Sequence, residues 1–190
     1  MSRLLISSAE RPAERRVDTT DADEIARRLA ERGIVFSRWT PVRPLPDAGG
    51  LAAQEILSAY APNVQQMAAE GYGTVDVVTV SPAPSDPAWP QKALAMREKF
   101  RAEHTHAEAE IRLFVAGRGL FYLRLDDDAV YLVLCERGDA LSIPGGTRHW
   151  FDMGSAPRFS ALRFFTNLDG WVGAFTGDSI ASRFPTLDEL

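Results

Sequence analysis

Hydrophobic and polar positions divide this 190-residue chain into two textures. Over the first hundred residues, apolar positions fall into short blocks and helix-like stripes. A block at residues 3–7 predicts a strand. Ile25 and Leu29, four apart, form one stripe of a helix predicted over residues 21–32. Thr20 is its expected N-cap, Asp23 and Glu24 suit its first turn, and Gly33 ends it. Residues 34–39 read as a strand, followed by a stiff connection with Pro41, Pro44, Pro46 and the pair Gly49-Gly50. Residues 51–60 are helical in composition, Pro62 can open a second helix, and Gly71 closes it. The valine-rich block 74–80 is a strand. Four prolines in residues 81–90 predict irregular chain, and a further helix is expected over 91–100.

After Phe100 the pattern becomes short β-rich runs broken by glycine and aspartate. Strands are predicted over 110–116, 120–125, 129–135 and 140–143, around His149, and over 158–166. Gly117-Arg118-Gly119 interrupts the first, Asp126-Asp127-Asp128 turns a hairpin, and Pro144-Gly145-Gly146 leads into His149. Strands at this spacing indicate a sandwich or barrel. Parity adds a constraint. Glu110, Arg112 and Phe114 share one strand face, while Ile111, Leu113 and Val115 share the other. With functional groups inside, the aliphatic outer face needs cover, which the helical N-terminal half can supply.

Composition excludes more than it assigns. Apolar content of 45% and charged content of 25% are those of a soluble globular chain. A net charge of −5 argues against a nucleic-acid partner. The single Cys135 precludes an internal disulfide and sits in an apolar run, so a buried, inert thiol is expected. No run suits a signal peptide or a membrane span. A cytoplasmic, monomeric protein is the expectation.

Chemistry concentrates in one place. All three histidines of the chain, His104, His106 and His149, fall in two short motifs. His104 and His106 leave one face of a strand and, at a rise of roughly 3.3 Å per residue, can share one ion. Glu110 joins them only if the chain turns over residues 107–109. Three imidazoles and a carboxylate would suit iron, nickel, manganese or zinc. Arg112, two residues on, points into the same cavity. An inward arginine must be paired, with either an anionic substrate or a buried carboxylate. Phe151 is in phase with His149, whereas Trp150 is out of phase and suits packing. Strict alternation from His104 points Glu103 away from the ion.

The spacing His104-x-His106-x-x-x-Glu110-x₆-Gly117, followed by Gly138-x₅-Pro144-x-Gly146-x-x-His149, resembles the two motifs of the cupin superfamily. Glu98 replaces a usual glycine before the first, and Met153 the closing asparagine of the second. Within cupins the chain resembles the acireductone dioxygenase family of methionine salvage. That likeness rests on Phe100-x-x-Glu103-His104-x-His106-x-x-x-Glu110-x-Arg112, on Pro144-Gly-Gly-Thr-Arg-His149-Trp-Phe151-Asp152, on Trp171 and on Arg183-Phe184-Pro185. Ala109 departs from it, standing where the family often has an acid.

The resemblance implies a mainly β fold with flanking helices, a cupin jelly-roll barrel (double-stranded β-helix). One domain would span 1–190: a mixed N-terminal part (1–100), the metal-binding barrel (101–166) and a C-terminal segment (167–190). It implies one Fe²⁺ or Ni²⁺ per chain on His104, His106, Glu110 and His149. Glu103 and Arg112 would act on substrate, with Phe100, Phe151 and Trp171 lining its pocket. The substrate would be acireductone, cleaved with O₂ to ketomethylthiobutyrate and formate by the iron form. The nickel form would yield methylthiopropionate, formate and carbon monoxide. Two other readings compete: a cupin dioxygenase or isomerase for a different small anion, and a non-enzymatic cupin that only binds a metal or ligand.

Overall fold

The computed structural model describes residues 1–46, 51–83, 85–126, 128–166 and 172–190. Gly49-Gly50, Asp127 in the predicted hairpin turn, and Trp171 lie outside them. The architecture is organised by one long strand, β6 (Glu110–Asp126). Its first part pairs with β8 (Asp139–Ile143) and β10 (Phe159–Phe165). Its second part pairs with β7 (Ala129–Glu136) and β9 (Arg148–Asp152). The chain therefore changes sheet within β6, where the sequence reading broke it into two strands.

Gly117 makes the crossing possible. It has φ +71°, and a Cβ there would lie 2.0 Å from the carbonyl oxygen of Arg158. Only glycine tolerates both demands. One sheet continues outward through β10 to β4 (Thr74–Val80) and through β8 to β3 (Val35–Arg38). The other runs from β9 to β5 (His104–Thr105) and β11 (Ala174–Phe175), and from β7 to β1 (Arg3–Ser8) and β2 (Arg15–Thr19). Two facing antiparallel sheets joined by the shared strand β6 are the expected jelly roll.

Three apolar layers follow from strand parity. Between the sheets, Phe114, Phe121, Phe151 and Phe159 are buried together with Leu123, Leu141 and Ile143. On the outer face of the first sheet, Ile111, Leu113 and Val115 pack with Ile56, Tyr60 and Met67. Those three belong to α2 (Ala53–Ala59), its C-cap and α3 (Ala61–Ala69). On the outer face of the second, Leu120, Tyr122 and Trp150 meet Ile180, Phe184 and Leu187 of the C-terminal segment. The Tyr122 and Trp150 rings stack at 4.9 Å, the packing role expected for Trp150.

Several local readings change. The cap of α1 (Ala22–Ala30) is Asp21, whose carboxylate accepts from Glu24 N at 2.8 Å. Thr20, the expected cap, is displaced from that role by its neighbour, and Thr19 Oγ1 donates to the Glu24 side chain at 2.8 Å. The charged segment Arg15–Thr19 pairs at the sheet edge as β2, where its polar side chains reach water. The proline-rich stretch ends earlier than expected, because α4 (Trp89–Arg101) starts before Pro90 and accepts it in its first turn. No helix among the described residues is long and apolar enough to cross a membrane.

A salt bridge ties α4 to the barrel. Arg97 grips the fully buried Asp152 of β9 with both Nε (2.6 Å) and Nη2 (2.9 Å). Oδ2 of that carboxylate, which meets Nη2, also accepts from Leu187 N at 2.8 Å. Burial raises the Asp152 carboxyl, but Arg97 and the backbone donors outweigh it and lower its pKa. Helix, metal-motif strand and C-terminus are thus held by one carboxylate. Replacing Gly117 by alanine is expected to destabilise the fold by about 3 kcal/mol, combining backbone strain with a clash against main chain. A urea midpoint unchanged from wild type would show that β6 does not need this crossing.

Candidate metal centre

The site forms where three strands and two turns meet. His104 and His149 are direct cross-strand partners in β5 and β9. Strand β5 lasts only two residues, and the chain then bends through 107–108 before β6 opens at Glu110. This is the turn that a shared site requires. The second motif closes against it: Gly146 N donates to His106 O at 2.8 Å. A Cβ on Gly145 would lie 2.6 Å from Ala107 O, so the Pro-Gly-Gly turn keeps glycine to let the two loops touch.

The three rings converge. Their centroids are 4.5 Å (His104–His149), 5.0 Å (His104–His106) and 5.3 Å (His106–His149) apart. One ligand nitrogen from each lies within 4.8 Å of the others. His104 Nδ1 meets Ala102 O, and His149 Nδ1 meets Thr147 O, each at 2.8 Å. A carbonyl accepts only from a protonated nitrogen, so both rings keep their Nε2 lone pair for an ion. Glu110 Oε2 lies 3.0 Å from His149 Nε2 and 3.7 Å from His106 Nε2. All four side chains are buried or nearly so. This N₃O donor set fits a first-row divalent ion such as iron or nickel.

Arg112 orients the carboxylate. Its Nη2 lies 2.7 Å from Glu110 Oε1, leaving Oε2 toward the histidines. The guanidinium sits 4.8 Å from the Phe151 ring centre and 5.2 Å from that of Phe121. Burial would raise the Glu110 carboxyl, but the opposing interactions, led by the Arg112 charge, outweigh it and hold it well below the usual carboxylate range. Arg112 thus has a buried carboxylate as a partner, one of the two open to an inward arginine. Phe121 supports the guanidinium alongside Phe151, although no sequence motif marks that residue.

A cavity of about 490 Å³ opens above the donors, lined by His104, His106, Glu110, Arg112, His149, Phe100 and Phe151. Lys99, Val172, Gly173 and Phe175 complete it. The sequence reading missed these four. Three belong to a C-terminal strap that no local pattern ties to the histidines. The strap lies directly against the site: a Cβ on Gly173 would stand in ordinary contact, 3.4 Å from His104 Cδ2. Lys99 directly precedes Phe100 on α4, where adjacent side chains diverge, so Phe100 by itself does not point to it. Trp171, expected in the wall, lies outside the described residues.

Glu103 is not brought to the cavity wall. Its buried carboxylate accepts from Thr176 Oγ1 at 2.7 Å and pairs with Arg124 Nη1 at 3.3 Å. Arg124 also holds Asp178 at 2.8 Å, and Thr176 N donates to Glu103 O. Alternation along β5 therefore wins: Glu103 faces away from the histidines and anchors the strap.

Burial and the neighbouring His149 lower the pKa of His104 to about 4, and burial also lowers that of His106. Neutral imidazoles are what a metal requires. In metal-free protein the unfolded chain takes up these protons first. Stability is therefore full above the ordinary imidazole value and falls as pH drops from 6.5 toward 4. His104 alone should contribute about 2 kcal/mol of loss at pH 5. Urea unfolding of stripped protein at pH 7.5 and 5 measures it. Equal midpoints would mean that the ring is solvated.

Comparison with known proteins places this geometry. The ARD/ARD' family model matches residues 54–173. Acireductone dioxygenase 2 of Nocardia farcinica is 50% identical over 191 residues, covering 100% of this chain and 98% of the relative. Acireductone dioxygenase of Pseudomonas aeruginosa is 49% identical over 190 residues, the whole of both chains. Among solved structures, the acireductone dioxygenase from Bacillus anthracis, with a cadmium ion in its active centre, superposes with a TM-score of 0.76. It is 25% identical, over 92% of this chain and 99% of that one. Two cupin motifs meeting at one N₃O cluster, on a jelly roll and at this identity, establish that the chain belongs to the ARD/ARD' family of the cupin superfamily.

Proposed function

We propose that this chain is a metal-dependent acireductone dioxygenase that holds one Fe²⁺ or Ni²⁺ through His104, His106, Glu110 and His149. The observation that carries the reading is the convergence of three imidazoles with an arginine-held carboxylate at the floor of one cavity. The substrate is a small ene-diol with an apolar methylthio tail, and its co-substrate is O₂. When bound, the ion supplies a Lewis-acid centre for the ene-diolate oxygens and, as iron, redox access to oxygen.

The residues of the chain do the rest. Arg112 fixes Glu110 and places a buried positive charge beside the cavity, which favours an anionic ligand. Phe100 and Phe151 supply an apolar wall that excludes water from the reacting oxygens. Glu103 acts as a positioning residue, through Thr176 and the strap that passes over His104 and His106. This reading takes the chain as a monomer that needs no membrane, and its net charge of −5 gives no support for a nucleic-acid partner. The one cysteine is fully buried, and burial raises its thiol pKa, in keeping with a cytoplasmic protein without disulfide chemistry.

Oxygen uptake by iron-loaded protein with acireductone is the direct test. No uptake at full metal occupancy would leave a metal-binding cupin without this activity. Alanine at any of the four proposed ligands should reduce metal content several-fold and abolish turnover, and full occupancy in His149→Ala would refute the ligand set. Arg112→Ala should lower metal content as well as turnover, because it strands Glu110 without its partner. Loss of turnover alone would assign Arg112 to the substrate instead. Stripped protein reloaded with iron is expected to give ketomethylthiobutyrate and formate, and with nickel methylthiopropionate, formate and carbon monoxide. Identical products from both ions would end the metal switch while leaving the site intact.

A further inference from the structure

Lysine is nearly absent from this chain. Of 21 basic residues, 19 are arginine, and lysine stands only at positions 92 and 99. Lys92 is a surface partner of Asp86, with Nζ 2.7 Å from Oδ2. Lys99 has a different setting. It lines the metal cavity and also an apolar side cavity of about 280 Å³ walled by Val78, Val80, Met96 and Phe159. The two cavities share Lys99, Phe100, Arg112 and Phe151, so Lys99 stands where they meet.

The other cations around these cavities are engaged. Arg112 lies 2.7 Å from Glu110, and Arg163 holds Asp76, with Nε 2.8 Å from Oδ1. Among the described residues, no carboxylate lies within ion-pair distance of Lys99. Its Nζ is 5.9 Å from the Phe100 ring centre. Met96, Lys99 and Phe100, spaced i, i+3 and i+4, share the face of α4 that walls the cavities. The Arg97–Asp152 bridge fixes that helix against the strand of His149.

We propose that Lys99 is the cation that draws the anionic substrate into the cavity and binds its oxygens where the two cavities meet, a role that rests on the function proposed above. Lysine suits it better than arginine. An ammonium is a compact, mobile point charge, whereas a guanidinium would stack on Phe100 or Phe151, as Arg112 does. An ammonium at a polar–apolar junction also matches a ligand with a charged head and an apolar tail.

The test compares wild type, Lys99→Gln and Lys99→Arg, each loaded with nickel and assayed for metal content. Oxalate, a dianion with vicinal oxygens, is titrated anaerobically by calorimetry at several salt concentrations, alongside kcat/KM for acireductone. Lys99→Gln should bind oxalate about ten-fold more weakly, with a shallower salt dependence and unchanged metal content and Tm. Lys99→Arg should recover most of the affinity. Equal affinity and salt slope in Lys99→Gln, or no oxalate binding by wild type, would overturn the proposal. Failure of the functional reading shows separately, as wild-type protein that binds oxalate yet consumes no oxygen with acireductone.

Discussion

The site depends on one buried ion pair, Arg112 with Glu110. Both residues leave the same face of β6, two apart, and both are almost wholly buried. Two desolvated charges in the interior are costly unless they meet each other, and here they meet at 2.7 Å. The pair turns one carboxylate oxygen toward arginine and leaves the other facing the imidazoles. It also keeps Glu110 charged in surroundings that would otherwise favour its acid form. The aromatic faces of Phe121 and Phe151 bracket the guanidinium, so the barrel core itself takes part in orienting a proposed metal ligand.

That pair can occupy the barrel interior only because β6 belongs to both sheets. Its first half carries Glu110 and Arg112, and its second half pairs with the strand of His149. Gly117 between them relieves the bend, and Gly119 leaves room for Phe151, whose ring carbons would lie 2.4 Å from a Cβ there. Around this frame, two charge clusters fasten the peripheral parts. Arg97 with Asp152 and Asp188 holds α4 and the C-terminus, and Arg124 with Glu103 and Asp178 holds the strap. Both lie outside the cavity yet decide where its walls stand.

Glu103 illustrates how position in a motif and position in space diverge. It directly precedes His104, yet strand alternation sends its carboxylate to the opposite side, onto Thr176. A residue can thus belong to the same motif as the ligands and serve the site by fastening the segment that covers it. The strap brings Phe175 to within 5.8 Å of the His104 ring centre and remains more than half exposed there. It forms the outer rim of the cavity.

Local physics made much of this readable from the chain. Period-2 alternation placed Glu110, Arg112 and Phe114 inside and Ile111, Leu113 and Val115 outside, because a strand has only two faces. Histidine is scarce enough here that three of three at ligand spacing marked the centre, and the turn before Glu110 followed from strand parity. The rest required tertiary contact. Whether Arg112 meets a carboxylate or a substrate depends on which groups share its cavity, and alternation is silent on that. The cap fell to Asp21 because the side chain that reaches Glu24 N is chosen by backbone geometry, not by residue type. Val172, Gly173 and Phe175 sit more than sixty residues from His104 and His106. Their place in the wall is decided by antiparallel pairing of β11 with β5, a long-range hydrogen-bonded contact that leaves no periodicity in the sequence.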